Sequence, residues 1–453
     1  MLDLRHMMGL IRKYTPEAVI ASYHKAMAIF ANIYYGRPSE KLIVIGVTGT
    51  NGKTTTVSLI AKVLEEAGFK VGAASTAIFK IADKEWLNDK KMTMLGRFAL
   101  QKLLSDMVNA GCQYAVIETS SQGIEQFRHV GIHYDVCVFT NLTPEHIEAH
   151  KGFENYKKAK LKLFKKLEGE RNKEIRNIEI NKAIIANGND IFAKEFLDFN
   201  VSQKIVYGIG DVKKQFPISN FLFLAAQNIK YLTDGVSFDA NDINYKLKLF
   251  GRFNVYNSLA AIAVGLSQSI PFEILKAALE HVSVMPGRME FIENDKNFKI
   301  IVDYAPEPES MRQLFETIKL HKLVVQGGKI IHVFGSCGGG RDTARRPVLG
   351  QISAENGTIA IITNEDPYDD EPGLIIDQVA QGAISGGLVE GQNLFKIGDR
   401  REAVRKALSL ARPGDLVLLT GKGSEQAICS VGGKKIPWDE RQVVREELKK
   451  LAT

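Results

Sequence analysis

Short apolar segments alternate with longer amphipathic segments along most of this chain. From residue 42 onward, runs rich in Ile and Val are each followed by a stretch with apolar residues at helical spacing. Short apolar runs are typical of buried strands, and their alternation with helices is typical of βαβ units. The pattern therefore predicts an α/β fold with a mainly parallel sheet that is covered on both faces.

The predicted elements form two series. The strands of the first series are residues 43–47, 114–118, 135–140, 184–187 and 204–207, and its helices are 53–67, 98–110 and 156–167. Residues 227–249 alternate between polar and apolar side chains, which predicts an antiparallel excursion. The second series starts after residue 287, with strands at 299–303, 329–334, 358–363 and 416–419. Two α/β units facing each other would form a cleft.

Three regions follow from this pattern. Residues 1–40 contain two helical patterns, the second at 16–34, and are predicted to form a short helical N-terminal segment. Residues 41–295 are predicted to form a central α/β domain. Residues 296–453 are predicted to form a C-terminal Rossmann-like α/β domain. The boundary is placed near residue 295 because residues 293–297 are all polar or charged.

Composition and charge narrow the class of protein. The net charge of +7 is mild for 453 residues, so acidic or phosphorylated substrates fit but a nucleic-acid partner is not expected. The four cysteines are scattered and lack metal-site spacing, as expected in a reducing compartment. The chain has no apolar run of membrane length and no signal-peptide pattern, which predicts a cytoplasmic protein without a membrane span.

A glycine-rich loop after the first strand carries the clearest chemistry. Its residues are Gly49, Thr50, Asn51, Gly52, Lys53, Thr54 and Thr55. Such a loop directs backbone N–H groups toward phosphates, while the lysine reaches the outer phosphates and the first hydroxyl binds Mg²⁺. Val47 stands where the strict motif has glycine, so this is a variant in which Gly46 and Gly49 make the turns. The loop predicts binding of a nucleoside triphosphate, so residues 41–295 are predicted to be a P-loop domain that binds a mononucleotide.

Other polar residues follow predicted strands. Glu118 ends the strand that is expected to neighbour the loop, where a carboxylate is suited to hold Mg²⁺. Residues 145–150 contain two glutamates and two histidines, but a helix start with Pro144 at its first position is the better interpretation. Asp303 ends a strand and could bind ribose hydroxyls, and Arg341 in a glycine-rich turn could clamp a carboxylate.

Six motifs occur in an order that resembles the Mur ligase family. They are residues 48–55, Glu118-Thr-Ser-Ser121, 139–142, Gly251-Arg-Phe-Asn-Val-Tyr-Asn257, Pro286-Gly-Arg-Met-Glu290 and 302–305. Within the family, the chain resembles most the ligases that add the third stem residue to UDP-N-acetylmuramoyl-dipeptide. The resemblance implies an ATP-dependent amide ligase of peptidoglycan synthesis. ATP phosphorylates a substrate carboxylate, and the amine of an amino acid attacks the acyl phosphate.

The resemblance also assigns roles to residues, position by position. Lys53, Glu118, His146 and Lys160 would be catalytic. Thr54 and Glu118 would hold one Mg²⁺, while His146 and a Lys160 carbamylated by CO₂ would hold a second. The remaining ATP-binding residues would be Asn254 and Asn257 at adenine, Asp303 at ribose and Arg288 near the phosphates. The acceptor site would contain Thr93, Ser120, Gln126 and Arg128, and the amino-acid site Arg341, Glu365, Asp366, Gly421 and Glu425. The substrates would be small molecules and the protein a monomer.

Two departures from the family pattern bear on substrates. Residues 1–40 are short for a UDP-binding domain, so it stays open whether the acceptor carries a uridine nucleotide. Glu365-Asp366-Pro367-Tyr368 stands where the family has Asp-Asn-Pro-Arg for diaminopimelate. Loss of the arginine removes a bidentate clamp for a second carboxylate. The following Asp369, Asp370 and Glu371 would suit lysine or ornithine, or form a solvated loop.

Two alternatives remain open at this point. One is a relative with another acceptor, similar to folylpolyglutamate synthases or to the lipid II amidating ligase. The other is a nucleotide-binding regulatory protein without ligase activity. Gln126 and Arg128 at acceptor positions favour the muramoyl type, and the complete set of catalytic residues argues against a protein that only binds nucleotide.

Overall fold

The computed structural model describes residues 16–145, 148, 150–217 and 220–451. Within them, an 11-stranded sheet and a 6-stranded sheet organise the chain, with two short two-stranded ribbons besides. We refer to the 11-stranded sheet with its helices, residues 43–281, as the first lobe. The 6-stranded sheet with its helices, residues 290–450, is the second lobe.

The strands of the first lobe, in chain order, are β1 Ile43–Thr48, β2 Val71–Ala74, β3 Ile78–Ile81, β4 Lys84–Leu87, β5 Tyr114–Glu118, β6 Val136–Phe139, β7 Lys173–Ile175, β8 Ile178–Ile180, β9 Ala183–Asn187, β10 Gln203–Ile209, β11 Leu222–Leu232, β12 Gly235–Ala240 and β13 Ile243–Leu247. Those of the second lobe are β14 Glu290–Phe291, β15 Lys299–Val302, β16 Ile330–Phe334, β17 Ile359–Ile362, β18 Leu394–Lys396, β19 Leu416–Leu419, β20 Ala427–Ser430 and β21 Lys434–Pro437.

The helices are α1 Glu17–Tyr34, α2 Lys53–Glu66, α3 Arg97–Asn109, α4 Ser121–Glu125, α5 Phe153–Gly169, α6 Ala193–Leu197, α7 Arg252–Ser267, α8 Phe272–His281, α9 Pro308–Leu320, α10 Arg345–Asn356, α11 Pro372–Ser385, α12 Arg400–Leu410 and α13 Glu440–Lys450. Among these described helices, none combines the length and the apolar character needed to cross a bilayer.

The large sheet has the strand order β13-β12-β11-β10-β9-β6-β1-β5-β2-β3-β4. Its centre, from β11 to β2, is parallel, and an antiparallel hairpin extends each edge. Strand β1 lies between β5 and β6, so that Val47 is opposite both Glu118 and Val138. The loops that leave these three strands therefore meet at one edge of the sheet, where ligands bind in open α/β sheets.

Helices cover both faces of each sheet, which explains the near-continuous apolar runs of the central strands. In the first lobe, α2, α7 and α8 pack on one face, and α3 and α5 on the other. In the second lobe, β14 is antiparallel to β15 and the other strands are parallel in the order β15-β19-β16-β17-β18. Helices α9, α10 and α11 cover one face and α12 and α13 the other.

The predicted fold class is confirmed, including the antiparallel excursion, in which β12 and β13 follow a β11 that is parallel to β10. Sequence reasoning missed the hairpin of β3 and β4 and the ribbons β7–β8 and β20–β21. These strands have three or four residues each, which is too few to show the two-residue alternation of a strand. Helix α1 confirms the second N-terminal helical pattern, and the first lies outside the described residues. The three domain boundaries stay predictions.

A buried histidine predicts acid sensitivity of the second lobe. His332 on β16 is fully buried, 2.8 Å from Ser353 Oγ and 2.9 Å from Thr420 Oγ1. Burial, with a contribution from the Arg400 charge, lowers the pKa of His332 from 6.5 to about 3. Below pH 6.5 the unfolded chain therefore binds a proton that the folded lobe does not, and stability is lost as the pH falls from 6.5 toward 3.

We expect the free energy of unfolding to fall by about 2 kcal/mol between pH 7 and pH 5 because of His332 alone. Urea unfolding at the two pH values measures this loss. His332→Gln should show a smaller pH dependence, whereas His281→Gln, at an exposed helix end, should behave as wild type. An unchanged pH dependence in His332→Gln would contradict the assignment.

Candidate active site

The glycine-rich loop joins β1 to α2 and leaves the start of that helix open. Gly52 is the N-cap with a φ of 82°, and no side chain caps the first turn. A β-carbon at Gly52 would lie 2.4 Å from Asn257 Oδ1, so both the positive φ and the close approach require glycine. The uncapped N–H groups and the positive end of the helix dipole form a site for an anion such as phosphate.

A hydroxyl and a carboxylate meet beside this loop. The parallel pairing of β1 and β5 brings Glu118 next to Thr54, and Thr54 Oγ1 donates to Glu118 Oε2 at 2.9 Å. Thr76, which follows β2, donates to the same carboxylate from its backbone N at 2.7 Å and from its Oγ1 at 3.1 Å. Glu118 is only 1% exposed. These oxygens are hard ligands of the kind that Mg²⁺ prefers, so the residues present fit this ion.

Two lysines flank the loop. Lys53 Nζ donates to Thr50 O at 2.7 Å at the edge of the cavity. Lys160, on α5, is buried, and its Nζ donates to Gly49 O at 2.7 Å. Burial lowers the pKa of Lys160 well below its ordinary value, and the Lys53 ammonium lowers it further. Lys160 therefore presents an amine that favours the neutral, nucleophilic form.

The connection between the lobes contributes a guanidinium. Arg288 follows α8 and approaches the loop, with 3.3 Å between its Nη2 and Thr54 Oγ1. Its guanidinium also lies 4.3 Å from the ring centroid of Tyr304. Asp303, at the end of β15, holds this segment, because its carboxylate accepts from Met289 N at 2.6 Å and from Ala305 N at 2.8 Å. The phosphate loop and the second lobe thus share one cleft.

The cleft encloses a cavity of about 530 Å³ that residues of both lobes line. Most of the predicted site residues lie on its wall. They are Thr50, Asn51, Gly52, Lys53, Thr54, Thr55, Thr93, Glu118, Ser120, Arg128, Lys160, Asn257, Arg288, Asp303, Arg341, Glu365, Asp366, Gly421 and Glu425. The structure thereby brings together groups that the sequence assigned to ATP, the acceptor and the amino acid.

The other predicted site residues lie off the wall or outside the described chain. Asn254 is buried behind Asn257, from which it accepts at 2.9 Å, and it donates to Phe250 O at 2.7 Å. Gln126 accepts from Arg97 and Arg128 beside the cavity. Gly49 contributes the carbonyl that holds Lys160. His146 lies outside the described residues, so its role stays a prediction.

The acceptor side of the cavity is built from short contacts within the first lobe. Thr93 lies in the loop of residues 88–96 between β4 and α3, here called the acceptor loop. Thr76 Oγ1 donates its only proton to Glu118 and accepts from Thr93 Oγ1 at 3.0 Å, which links the acceptor loop to the carboxylate of Glu118. Ser120 Oγ caps the short helix α4 by accepting from Gly123 N at 3.2 Å. The guanidinium of Arg128 donates to Met94 O. The acceptor loop therefore lies directly beside the candidate metal site.

The opposite wall belongs to the second lobe. Gly421 has a φ of 99°, and a β-carbon there would lie 2.3 Å from Glu365 Oε2, so this turn can only pack with glycine. Cys337 Sγ donates to Glu365 Oε1 at 2.9 Å. Arg341 lies on the same wall. Carboxylate and guanidinium groups of this kind could bind the ammonium and carboxylate groups of an amino acid.

Sequence reasoning missed several residues of this site. Thr76 was missed because its hairpin was not predicted, and Tyr304 because an aromatic after a strand is no signal for a cation partner. Lys91 and Lys422 contact the amino-acid wall, but neither stands out from the other lysines of the chain. No group of three or more metal-ligating His, Cys, Asp or Glu occurs in the part of the chain that the structure describes.

Two family profiles match this chain in sequence. The Mur ligase middle domain matches residues 47–265, and the Mur ligase glutamate ligase domain matches residues 287–423. A UDP-N-acetylmuramyl-tripeptide synthetase of Roseiflexus sp. (strain RS-1) is 36% identical over 96% of this chain and 84% of its own length. The chain belongs to the Mur ligase family. This confirms the resemblance that the six motifs indicated.

Further relatives agree with the assignment to the Mur ligases. A UDP-N-acetylmuramoyl-L-alanyl-D-glutamate–2,6-diaminopimelate ligase of Clostridium botulinum is 34% identical over 95% of this chain and 83% of its own length. A solved 2,6-diaminopimelate ligase of this type superposes with a TM-score of 0.57 at 27% identity, covering 91% of this chain and 79% of its own. A Mycobacterium tuberculosis folylpolyglutamate synthase, with a TM-score of 0.63 at 14% identity, covers 88% of this chain and 92% of its own and shares the fold. Like its family, this Mur ligase is an ATP-dependent carbon–nitrogen ligase that uses Mg²⁺.

Proposed function

We propose that this Mur ligase uses ATP to activate a carboxylate of a UDP-N-acetylmuramoyl-peptide and joins an amino acid to it in peptidoglycan precursor synthesis. One observation supports this most directly. The Thr54 and Glu118 pair lies at the phosphate loop, and Arg288 reaches the same hydroxyl from the connection to the second lobe. The names of the tripeptide synthetase and diaminopimelate ligase relatives supply the acceptor class.

The chemistry begins with transfer of the γ-phosphoryl group to a carboxylate oxygen of the acceptor. The bond from the γ-phosphorus to the bridging oxygen breaks, and ADP leaves with the electron pair. Lys53, Arg288 and the open start of α2 neutralise charge on the transferring group and on the leaving ADP. The amine of the amino acid then attacks the acyl carbon, loses a proton and expels phosphate, which leaves an amide.

The metal and the lysine modification belong to this proposal. Thr54 and Glu118 would hold one Mg²⁺, and His146 together with Lys160 a second. Bound Mg²⁺ supplies positive charge to the phosphate oxygens. The neutral amine of Lys160 suits carbamylation by CO₂, because only an unprotonated amine attacks CO₂. The resulting carbamate would give the buried site an anionic oxygen ligand in place of a cation.

The remaining roles follow the two walls of the cavity. We assign Asn257 and Asn254 to the adenine, Asp303 to the ribose, and Thr93, Ser120, Gln126 and Arg128 to the muramoyl-peptide. Arg341, Glu365, Asp366, Gly421 and Glu425 would hold the incoming amino acid. Residues 41–295 would form the ATP-binding domain and 296–453 the amino-acid domain, in a monomeric cytoplasmic enzyme.

A substrate screen tests the proposal. Phosphate release from ATP is measured with UDP-N-acetylmuramoyl-dipeptide and, in turn, lysine, ornithine, diaminopimelate, glutamate, alanine and ammonia. We expect release to require both the muramoyl-peptide and an amino acid, with an amide product of matching mass. Release that occurs only with a folate and glutamate would show that the acceptor class is wrong.

A further inference from the structure

One lysine crosses the cleft and enters the wall assigned to the amino acid. Lys91 precedes Thr93 in the acceptor loop of the first lobe, yet its Nζ contacts only the second lobe in the hydrogen bonds described. It lies 2.6 Å from Asp366 Oδ2, 3.0 Å from Glu425 Oε2 and 2.8 Å from Ala427 O. Its side chain is 5% exposed. Two hydrogen bonds and a further ion pair with Glu425 therefore hold the ammonium group tightly.

A second lysine, which belongs to the second lobe itself, contacts the same two carboxylates. Lys422 is fully buried, and its Nζ lies 3.0 Å from Asp366 Oδ1, 2.8 Å from Glu425 Oε2 and 2.8 Å from Ala427 O. Two ammonium groups thus face two carboxylates in one buried cluster. The cluster is electrically neutral, and both acids assigned to the amino acid are already paired with cations of the protein.

The three acidic residues after Tyr368 also have partners within the protein. Asp369 accepts from Gly432 N at 2.7 Å, and Asp370 pairs with Arg346 at 3.0 Å. Glu371 caps α11 by accepting from Leu374 N at 2.7 Å. The interpretation of these acids as a receptor for lysine or ornithine is therefore not supported, because each one has a structural partner.

Glu365 and two arginines complete this wall. Glu365 lies in the electrostatic field of Arg345 and Arg400, although these arginines are ion-paired with Glu307 and Glu440. Arg345 donates to Glu307 through one nitrogen, but its buried Nε and a second nitrogen have no hydrogen-bond partner among the described residues. Arg345 and Arg341 both line the cavity. Buried donors without partners are costly and mark a place for a ligand's acceptor group.

Resting on the proposed function, we propose that Lys91 is a specificity-determining residue of the amino-acid site. It supplies the cation that Asp366 and Glu425 would otherwise take from the substrate. The site then accepts amino acids whose side chain is neutral, acidic or zwitterionic, and it rejects lysine and ornithine. A side-chain ammonium could reach the two carboxylates only by displacing Lys91 into solvent, which breaks two hydrogen bonds and a further ion pair in a buried cluster.

The test compares amino acids in wild type and in Lys91→Met, with ATP and UDP-N-acetylmuramoyl-dipeptide held at saturation. Wild type should use diaminopimelate, glutamate or alanine with a higher kcat/KM than lysine and ornithine. Lys91→Met leaves one carboxylate of the cluster unpaired, so the kcat/KM ratio of lysine to the best wild-type substrate should rise about tenfold or more. Lys91→Arg keeps the charge and should keep the wild-type preference.

Lys90→Met is the matched control, since Lys90 is 58% exposed and pairs only with Asp89 among the ion pairs described. It should leave the preference unchanged. A wild type that prefers lysine or ornithine would overturn the inference, as would a Lys91→Met enzyme that loses activity equally toward every amino acid. Absence of turnover with any amino acid in wild type would instead overturn the proposed function.

Discussion

Replacing Lys160 with alanine is expected to lower kcat at least about a thousandfold, while the affinity for ADP changes by no more than about twofold. Lys160 is buried against the phosphate loop, with its amine 2.7 Å from Gly49 O and 4.4 Å from the centroid of the Tyr156 ring. A carbamate at this position would act on the transferring phosphoryl group and not on the adenosine. The substitution should therefore lower turnover and leave nucleotide binding nearly unchanged.

Steady-state phosphate release and equilibrium binding of ADP measure the two effects. Lys162→Ala is the control on the same helix, because Lys162 is 54% exposed and pairs with Glu125 at the surface. Removal of bicarbonate should also lower wild-type activity, and its addition should restore it. Near wild-type turnover in Lys160→Ala would contradict the assignment. Equal loss of turnover and ADP binding would mean that Lys160 only supports the loop.

Glu118→Gln is expected to reduce kcat/KM for ATP by about a hundredfold or more and to raise the Mg²⁺ concentration needed for half-maximal activity. The substitution keeps the shape of the side chain but removes its charge. It also places an amide N–H₂ near Thr54 Oγ1 or Thr76 N, where the carboxylate now accepts from both.

A Mg²⁺ titration of phosphate release measures this effect. Glu125→Gln, at 43% exposure on the outer side of α4, changes the same type of residue without touching the site and should titrate as wild type. If Glu118→Gln retained the wild-type Mg²⁺ dependence, Glu118 would have to be a structural partner of Thr54 and Thr76 and not a metal ligand.

The phosphate loop and its neighbours could be predicted because the evidence is local. Glycine, lysine and threonine at fixed spacing after an apolar run define the loop, and parallel strands that end at one sheet edge bring Glu118 to it. Asp303 and Arg288 also follow from strand ends and ordered motifs. The second lobe was recognisable for the same reason, since its buried parallel strands are continuous apolar runs.

Other features depend on contacts that no local pattern records. Thr76 supports Glu118 from a hairpin whose strands are too short to read in sequence. Lys91 pairs with Asp366 across 275 residues of chain, and the acids after Tyr368 are satisfied by separate partners. The sequence shows these side chains as charges, but whether a charge is free for a substrate depends on which other charges the fold brings to it.

The amino-acid sequence by itself determined the α/β class, the phosphate loop, the family and a set of candidate site residues, most of which lie on the cavity wall. Strand periodicity and motif spacing are short-range properties, so they can be recognised without the tertiary structure. Only the tertiary structure decided the ionisation of Lys160, the pairing of Lys91 and Lys422 with the same two carboxylates, and the two nitrogens of Arg345 that have no hydrogen-bond partner among the described residues. These depend on burial and on distances between remote segments, because electrostatic and desolvation energies are set by position in space.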